Sequence, residues 1–164
     1  MSLILTFEPM DRASAVEVVH WHYDAPYDLY NLDSYDVHET LSDLLDPENA
    51  YYALRDERGK LAAFCCFGPD AEVPGGDYSA EALDVGLGVR PDLTGLGSGL
   101  DYVLAVLGFA TAEYEPAAFR VTVALFNQRA RRVWEKAGFV EVQRFRRGSD
   151  GRTFVVMMRP KPRP

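Results

Sequence analysis

Apolar and polar positions along this chain fall into short segments, each with its own period. Leu3 to Phe7 predicts a first strand. Asp11 predicts the N-cap of a helix running toward Trp21, with Ala13, Val16, Val19 and His20 turned to the core, and Pro26 closes that stretch. Residues 22 to 35 are rich in tyrosine and aspartate without a period, and a second helix is predicted from Val37 to Leu45 with Leu41, Leu44 and Leu45 packed. Tyr51 to Arg55 and Leu61 to Phe67 read as strands around the hairpin turn Asp56-Glu-Arg-Gly59. A loop punctuated by Pro69, Pro74, Gly75 and Gly76 then separates them from a strand at Leu83 to Val89. Gly99 to Tyr114 predicts a long apolar helix and Phe119 to Leu125 a buried strand. A helix after Asn127 carries Ala130, Val133, Trp134 and Ala137 as its core stripe and ends at Gly138. Val140 to Arg147 and Thr153 to Arg159 close the chain as a hairpin around Ser149-Asp-Gly151. The order β-α-α-β-β-β-α-β-α-β-β predicts a mixed α/β fold.

Composition narrows this picture without changing it. The chain has 164 residues and 48% apolar content, which suits one domain over residues 1 to 159 with a disordered tail at 160 to 164. Cys65 and Cys66 are adjacent in an apolar run, where neighbouring cysteines rarely bridge each other, so no disulfide framework is indicated. The N-terminal residues lack the basic region and apolar stretch of a secretory signal or anchor, which leaves a cytoplasmic location as the expectation. A net charge of −8 disfavours nucleic acid and anionic membrane as partners. It permits a cationic acceptor without demonstrating one. His20, His22 and His38 form no ligand set with the cysteines at a recognised spacing, so no metal site is expected.

The segment Leu83-Asp-Val-Gly-Leu-Gly-Val-Arg-Pro-Asp-Leu-Thr-Gly-Leu-Gly-Ser-Gly-Leu100 carries the most chemistry. Side chains alternate in a strand, so Leu83, Val85, Leu87 and Val89 share one face and Asp84, Gly86, Gly88 and Arg90 the other. Two consecutive positions on the second face have no side chain. Either a ligand approaches the backbone there or a helix packs tightly over the glycines. Gly95, Gly97 and Gly99 then let backbone N–H groups converge ahead of a helix N-terminus, which makes an anion cradle suited to a pyrophosphate. Leu100 stands where a dinucleotide fingerprint would need glycine, and no Walker lysine follows.

Together with Asn127-Gln-Arg-Ala-Arg-Arg-Val-Trp-Glu-Lys-Ala-Gly-Phe139, this segment resembles the GNAT superfamily of acyl-CoA-dependent N-acyltransferases. The family's loop pattern, Gln/Arg-x-x-Gly-x-Gly/Ala, falls on Thr94, Gly95, Leu96, Gly97, Ser98 and Gly99, and Thr94 departs from it. The resemblance implies a mixed, largely antiparallel central sheet with helices on both faces and acetyl-CoA or another acyl-CoA as co-substrate. It also implies that the pantetheine arm bonds to the strand backbone at Leu87, Gly88 and Val89, with Asn127 as a further contact. Many members have tyrosine, a proton source for the leaving thiolate, where this chain has Trp134. An indole N–H does not ionise in water, so that acid is missing here.

Asp84 lies on the cleared face and is the first candidate for the base that frees the acceptor amine, with Glu81 second; the alternative for Asp84 is a bond to a backbone amide or an arginine such as Arg90. Tyr27 and Tyr30 are candidate walls of an acceptor pocket. The expectation is direct acetyl transfer to a primary amine on a small molecule or peptide. Two alternatives stay open: a noncatalytic acyl-CoA-binding or regulatory module, and an enzyme acting on a protein N-terminus or lysine. A homodimer is compatible with the sequence and not required by it.

Overall fold

The computed structural model describes residues 3–160. Its elements are β1 (Thr6–Pro9), α1 (Arg12–Val19), α2 (Val37–Leu45), β2 (Tyr51–Arg55), β3 (Leu61–Phe67), β4 (Leu83–Val89), α3 (Gly99–Tyr114), β5 (Ala118–Ala124), α4 (Gln128–Lys136), β6 (Val140–Arg146) and β7 (Thr153–Pro160). Short 3-10 turns fill several of the connections, one of them at Tyr27–Tyr30. The order of strands and helices is the one the pattern predicts. The ends differ where a partner strand decides them. β1 begins at Thr6 and not Leu3 because its partner β2 ends at Arg55, opposite Thr6. β7 runs on to Pro160, which pairs with Ala118 and so leaves the expected tail; the rest of that tail lies outside the described residues.

The chain divides into two compact units, the first holding residues up to Cys66 with Leu87–Ser98, the second holding Phe67–Gly86 and the residues from Gly99 onward. In the first, β2 pairs antiparallel with β1 and with β3, and β3 is followed by the end of β4. Helices α1 and α2 set Ala15, Val18, Val19, Leu41 and Leu44 with Trp21 against Ala53 and Leu61. Each large aliphatic or aromatic side chain so buried contributes roughly 1.5–3 kcal/mol. Asp11 caps α1 as predicted, its Oδ1 accepting from the Ser14 N–H at 2.7 Å. Of the positions expected in the core, Val19 is inside while Ala13, Val16 and His20 are exposed, and Ser14, Ala15 and Val18 are buried in their place. The apolar residues Ala15, Val18 and Val19 form the buried face, and the Ser14 hydroxyl beside them accepts from Arg55 Nη2 at 2.6 Å.

In the second unit β5 is central. It pairs in parallel with the start of β4, Leu83 opposite Phe119 and Asp84 opposite Arg120, and antiparallel with β7 along its whole length; β6 lies outside β7. Helix α3 buries Tyr102, Val103, Val106, Leu107 and Ala110, a spacing of three and four that matches its turn. Trp134 of α4 is buried with its ring edge-on to Phe139 at 5.0 Å.

The pairing of β4 with β5 carries a buried ion pair. Arg120 donates from Nε to Asp84 Oδ1 at 2.7 Å and from Nη2 to Oδ2 at 2.8 Å, with the two side chains 3% and 5% exposed. Its Nη1 donates to the Ala80 carbonyl at 2.8 Å, and its guanidinium lies 4.9 Å from the centre of the Tyr78 ring. The Tyr78 hydroxyl accepts from the Val73 N–H at 2.9 Å and bonds Thr122 Oγ1 at 2.8 Å. A side chain on Gly76 would meet the rings of Tyr78 at 2.8 Å and Phe145 at 2.9 Å, so this glycine is required by close approach. The long loop between β3 and β4 is therefore tied to β5 through one arginine and one tyrosine.

Two measurements check this cluster. Arg120→Ala leaves the Asp84 carboxylate buried without its partner and is expected to cost about 3–5 kcal/mol in urea denaturation, whereas an isolated surface pair would cost under about 1 kcal/mol. Glu72 is held above its ordinary pKa of 4.5, first by burial, then by its hydrogen bond with Asp84 and the charge of that group. A raised folded-state value favours the folded chain while Glu72 is protonated, and that contribution fades as pH rises through the range just above 4.5. The melting temperature of the natural chain relative to Glu72→Gln should therefore fall across that range; a constant difference would show that Glu72 does not titrate with folding.

Candidate functional site

The end of β4 offers backbone groups on two edges, and hydrogen bonding tells them apart. The Arg90 N–H donates to the Ala62 carbonyl of β3 at 2.9 Å. Backbone groups of successive residues in a strand point to opposite edges, so those of Gly88 face β3 and those of Leu87 and Val89 face the other edge. Of the three strand residues expected to meet a cofactor arm, two turn their amides to that edge. The side-chain face of Gly88 is also filled, since a Cβ built there would come within 2.3 Å of the Phe64 ring. What approaches the glycine is an aromatic ring of the neighbouring strand. Phe64 in turn packs near Trp21 and Tyr51, with ring centres 5.9 and 6.2 Å away.

Beyond β4 the chain makes a 3-10 turn at Pro91–Leu93, closed by Leu93 N–H to the Arg90 carbonyl at 2.9 Å. The Thr94 hydroxyl donates to the Pro91 carbonyl at 2.7 Å, inside the same turn. Gly95 and Gly97 then adopt left-handed φ values of 72° and 83°, which a side chain would strain. Gly95, Leu96 and Gly97 are exposed, and no atom lies within 4 Å of a Cβ built on Gly97. Loops of this kind turn successive N–H groups toward one side and bind anions. Ser98 leads into α3 at Gly99, whose missing side chain answers a different need: a Cβ there would lie 3.2 Å from Val133 of α4.

Asn127 caps α4, its Oδ1 accepting from the Ala130 N–H at 3.0 Å, and it is 9% exposed. Tyr27 and Tyr30 stand partly buried on one 3-10 turn, Tyr30 with its ring edge-on to Tyr23 at 6.4 Å.

The candidate base Asp84 is corrected by the geometry. Its carboxylate is buried, each oxygen accepts a hydrogen bond from Arg120, and Glu72 is a further hydrogen-bond neighbour, so its surroundings are those of a buried ion pair. The partner is Arg120 and not Arg90, which bonds Asp92 and the Leu61 carbonyl. Glu81 is exposed on the loop before β4. Sequence reasoning passed over Tyr23, Phe64, Glu72 and Arg120. Arg120 had a signal, being the one charge inside the apolar strand β5; Tyr23 and Glu72 sit in segments without a diagnostic period, and Phe64 reads as one more apolar position of strand β3.

Cys65 and Cys66 are both buried, and burial pushes the Cys65 thiol well above its ordinary range, with Cys66 adding to the effect. Among the described residues no helix is long and apolar enough to cross a membrane, and no group of three or more His, Cys, Asp or Glu is arranged to hold a metal ion.

The model of the acetyltransferase (GNAT) family matches residues 15–139. No curated protein matches the sequence. Among solved structures the chain is similar to a chimera of the spermidine N-acetyltransferase from Vibrio cholerae, at 16% identity, 95% coverage of both chains and a TM-score of 0.74. It is also similar to a GNAT-family acetyltransferase from Bacillus anthracis, at 13% identity, 98% coverage of both chains and a TM-score of 0.72. Mutant forms of the Vibrio cholerae spermidine/spermine N-acetyltransferase align at 16% identity over 94% of this chain and 93% of theirs, with a TM-score of 0.65. At these identities the structures establish a shared fold, and the family match covers most of the chain: the chain belongs to the GNAT acetyltransferase family, whose co-substrate is acetyl-CoA.

Proposed function

We propose that this enzyme transfers an acetyl group from acetyl-CoA to a primary amine by direct attack. The observation that carries the reading is the Thr94 to Ser98 loop, where Gly95 and Gly97 adopt left-handed backbone and Gly95, Leu96 and Gly97 are exposed in the residues that precede α3. That loop is the candidate cradle for the pyrophosphate. The edge-facing amides of Leu87 and Val89 are the candidate contacts for the arm and, at the thioester carbonyl, for the oxyanion. Asn127 is a further candidate contact. When bound, the thioester supplies the activated acyl carbon.

Direct attack is supported by the state of the thiols. A covalent route needs a reachable thiolate, and both cysteines are buried, with Cys65 held protonated. The acceptor amine must lose a proton, and Glu81, exposed where Asp84 is not, is the remaining carboxylate candidate to take it through water. Trp134, buried against Phe139, fills space on α4, so the thiolate departs as the anion or takes its proton from water. The acceptor we favour is a small amine carrying further positive charge. Two features favour it: the acidic balance of the chain, and the spermidine N-acetyltransferases among its structural neighbours. A peptide amine is the competing acceptor.

The loop can be tested apart from turnover. A glutamate at position 97 meets no protein atom but faces any phosphate in the cradle, so Gly97→Glu should lower CoA affinity by at least about tenfold, ~1.4 kcal/mol, in calorimetry. Gly97→Asn, whose side chain tolerates left-handed backbone, should lose less. Equal affinity of Gly97→Glu and the natural chain would remove the loop from the cofactor site. Thiol release from acetyl-CoA with a panel of polyamines, simple amines and lysine peptides then identifies the acceptor class; turnover on peptides alone would overturn the small-amine assignment.

A further inference from the structure

Tyr23 comes from the irregular segment after α1, yet its hydroxyl donates to the Val89 carbonyl across 66 positions of sequence at 2.6 Å. That carbonyl points to the edge of β4 away from β3, as shown by the opposite direction of the Arg90 N–H in the same peptide, which bonds Ala62. The Val89–Arg90 peptide is thus held at both ends, by Tyr23 on one edge and by β3 on the other. Nothing about the local sequence of residues 22 to 35 demands this; a dedicated clamp achieves it. The buried Asn31 side chain accepts from the Tyr23 N–H at 2.7 Å and donates to the Tyr23 carbonyl at 3.4 Å, so one carboxamide fixes both backbone groups of the tyrosine. The Ser34 hydroxyl secures the Asn31 carbonyl at 2.7 Å, and the ring of Tyr30 stands edge-on to that of Tyr23. Burial also holds the hydroxyl well above the usual phenol range, so it stays a neutral donor at every pH at which an amine would be acetylated.

We infer that Tyr23 is a positioning residue of the cofactor track: by fixing the Val89 carbonyl, it sets the last edge-facing peptide of β4 for the arm of acyl-CoA. The inference rests on the proposed acetyl-CoA reading and adds a residue from outside the glycine loop and β4 to it. A peptide with its N–H and C=O both bonded presents a fixed plane and a polarised oxygen whose second lone pair can accept an amide N–H. Tyr23 therefore acts through Val89 and makes no bond to the reacting atoms.

The test is Tyr23→Phe in the full chain, which keeps the ring and removes the donor. Three quantities are read: the Kd for CoA by calorimetry, KM and kcat with acetyl-CoA, and the melting temperature. The expected result is a rise of about tenfold in Kd and in KM for acetyl-CoA, equivalent to ~1.4 kcal/mol, with kcat nearly unchanged and the melting temperature lowered only by the loss of one internal hydrogen bond. Asn31→Ala, which releases the clamp but leaves the hydroxyl, should move Kd in the same direction by less. Unchanged Kd and KM in Tyr23→Phe would overturn the inference while leaving the acetyl-CoA reading intact. A fall in kcat at constant KM would also overturn it, by assigning the hydroxyl to the chemical step. If the natural chain itself fails to bind CoA, the acetyl-CoA reading fails first, and this inference falls with it.

Discussion

The ion pair between Asp84 and Arg120 is the constraint on which the second unit is organised. Two charges at 3% and 5% side-chain exposure are tolerable only with every strong polar atom engaged, and here the guanidinium reaches Asp84 twice and Ala80 once while its face rests on Tyr78. A pair of this kind adds little net stability compared with apolar packing, but it is intolerant of slippage. Moving β4 by one residue against β5 would leave two charges buried apart. The register of a parallel pair only two residues long, Leu83 with Phe119 and Asp84 with Arg120, is thereby fixed by electrostatics where hydrogen-bond ladders alone would specify it weakly.

The start and the end of β4 are held by different partners. At its end the edge to which the Leu87 and Val89 amides point follows from the Arg90 N–H, which bonds the Ala62 carbonyl of β3. Phe64 over Gly88 and Tyr23 at Val89 finish the strand from within the first unit. A bulky residue at Gly88 would disturb Phe64 before it disturbed any ligand. Loss of activity in such a variant would say little about binding.

Most of the fold was legible in the sequence because hydrophobic period and turn chemistry agree along it: β2, β3, β4, α2 and α3 begin and end where the pattern places them. Two of the misreadings share one cause, a partner distant in sequence. The start of β1 was decided by its pairing with Arg55, and the fate of Asp84 by an arginine 36 positions away. Gly95 and Gly97 have left-handed backbone angles, a local property of the loop, whereas a Cβ on Gly99 would lie 3.2 Å from Val133 on another helix. Tyr23 was invisible because residues 22 to 35 have no period, and the hydrogen bonds that make the segment definite run through Asn31, an unremarkable residue in one dimension.

The adjacent cysteines have a practical side. Cys65 and Cys66 lie in β3 at 0% and 3% exposure, shielded from reagents as long as the strand keeps its neighbours. A disulfide dye used to follow release of coenzyme thiol would thus see none of the enzyme's own sulfur while the chain is folded. Two equivalents of additional colour per chain would mark the moment it opens, so a single cuvette reports both product formation and the integrity of the protein that makes it.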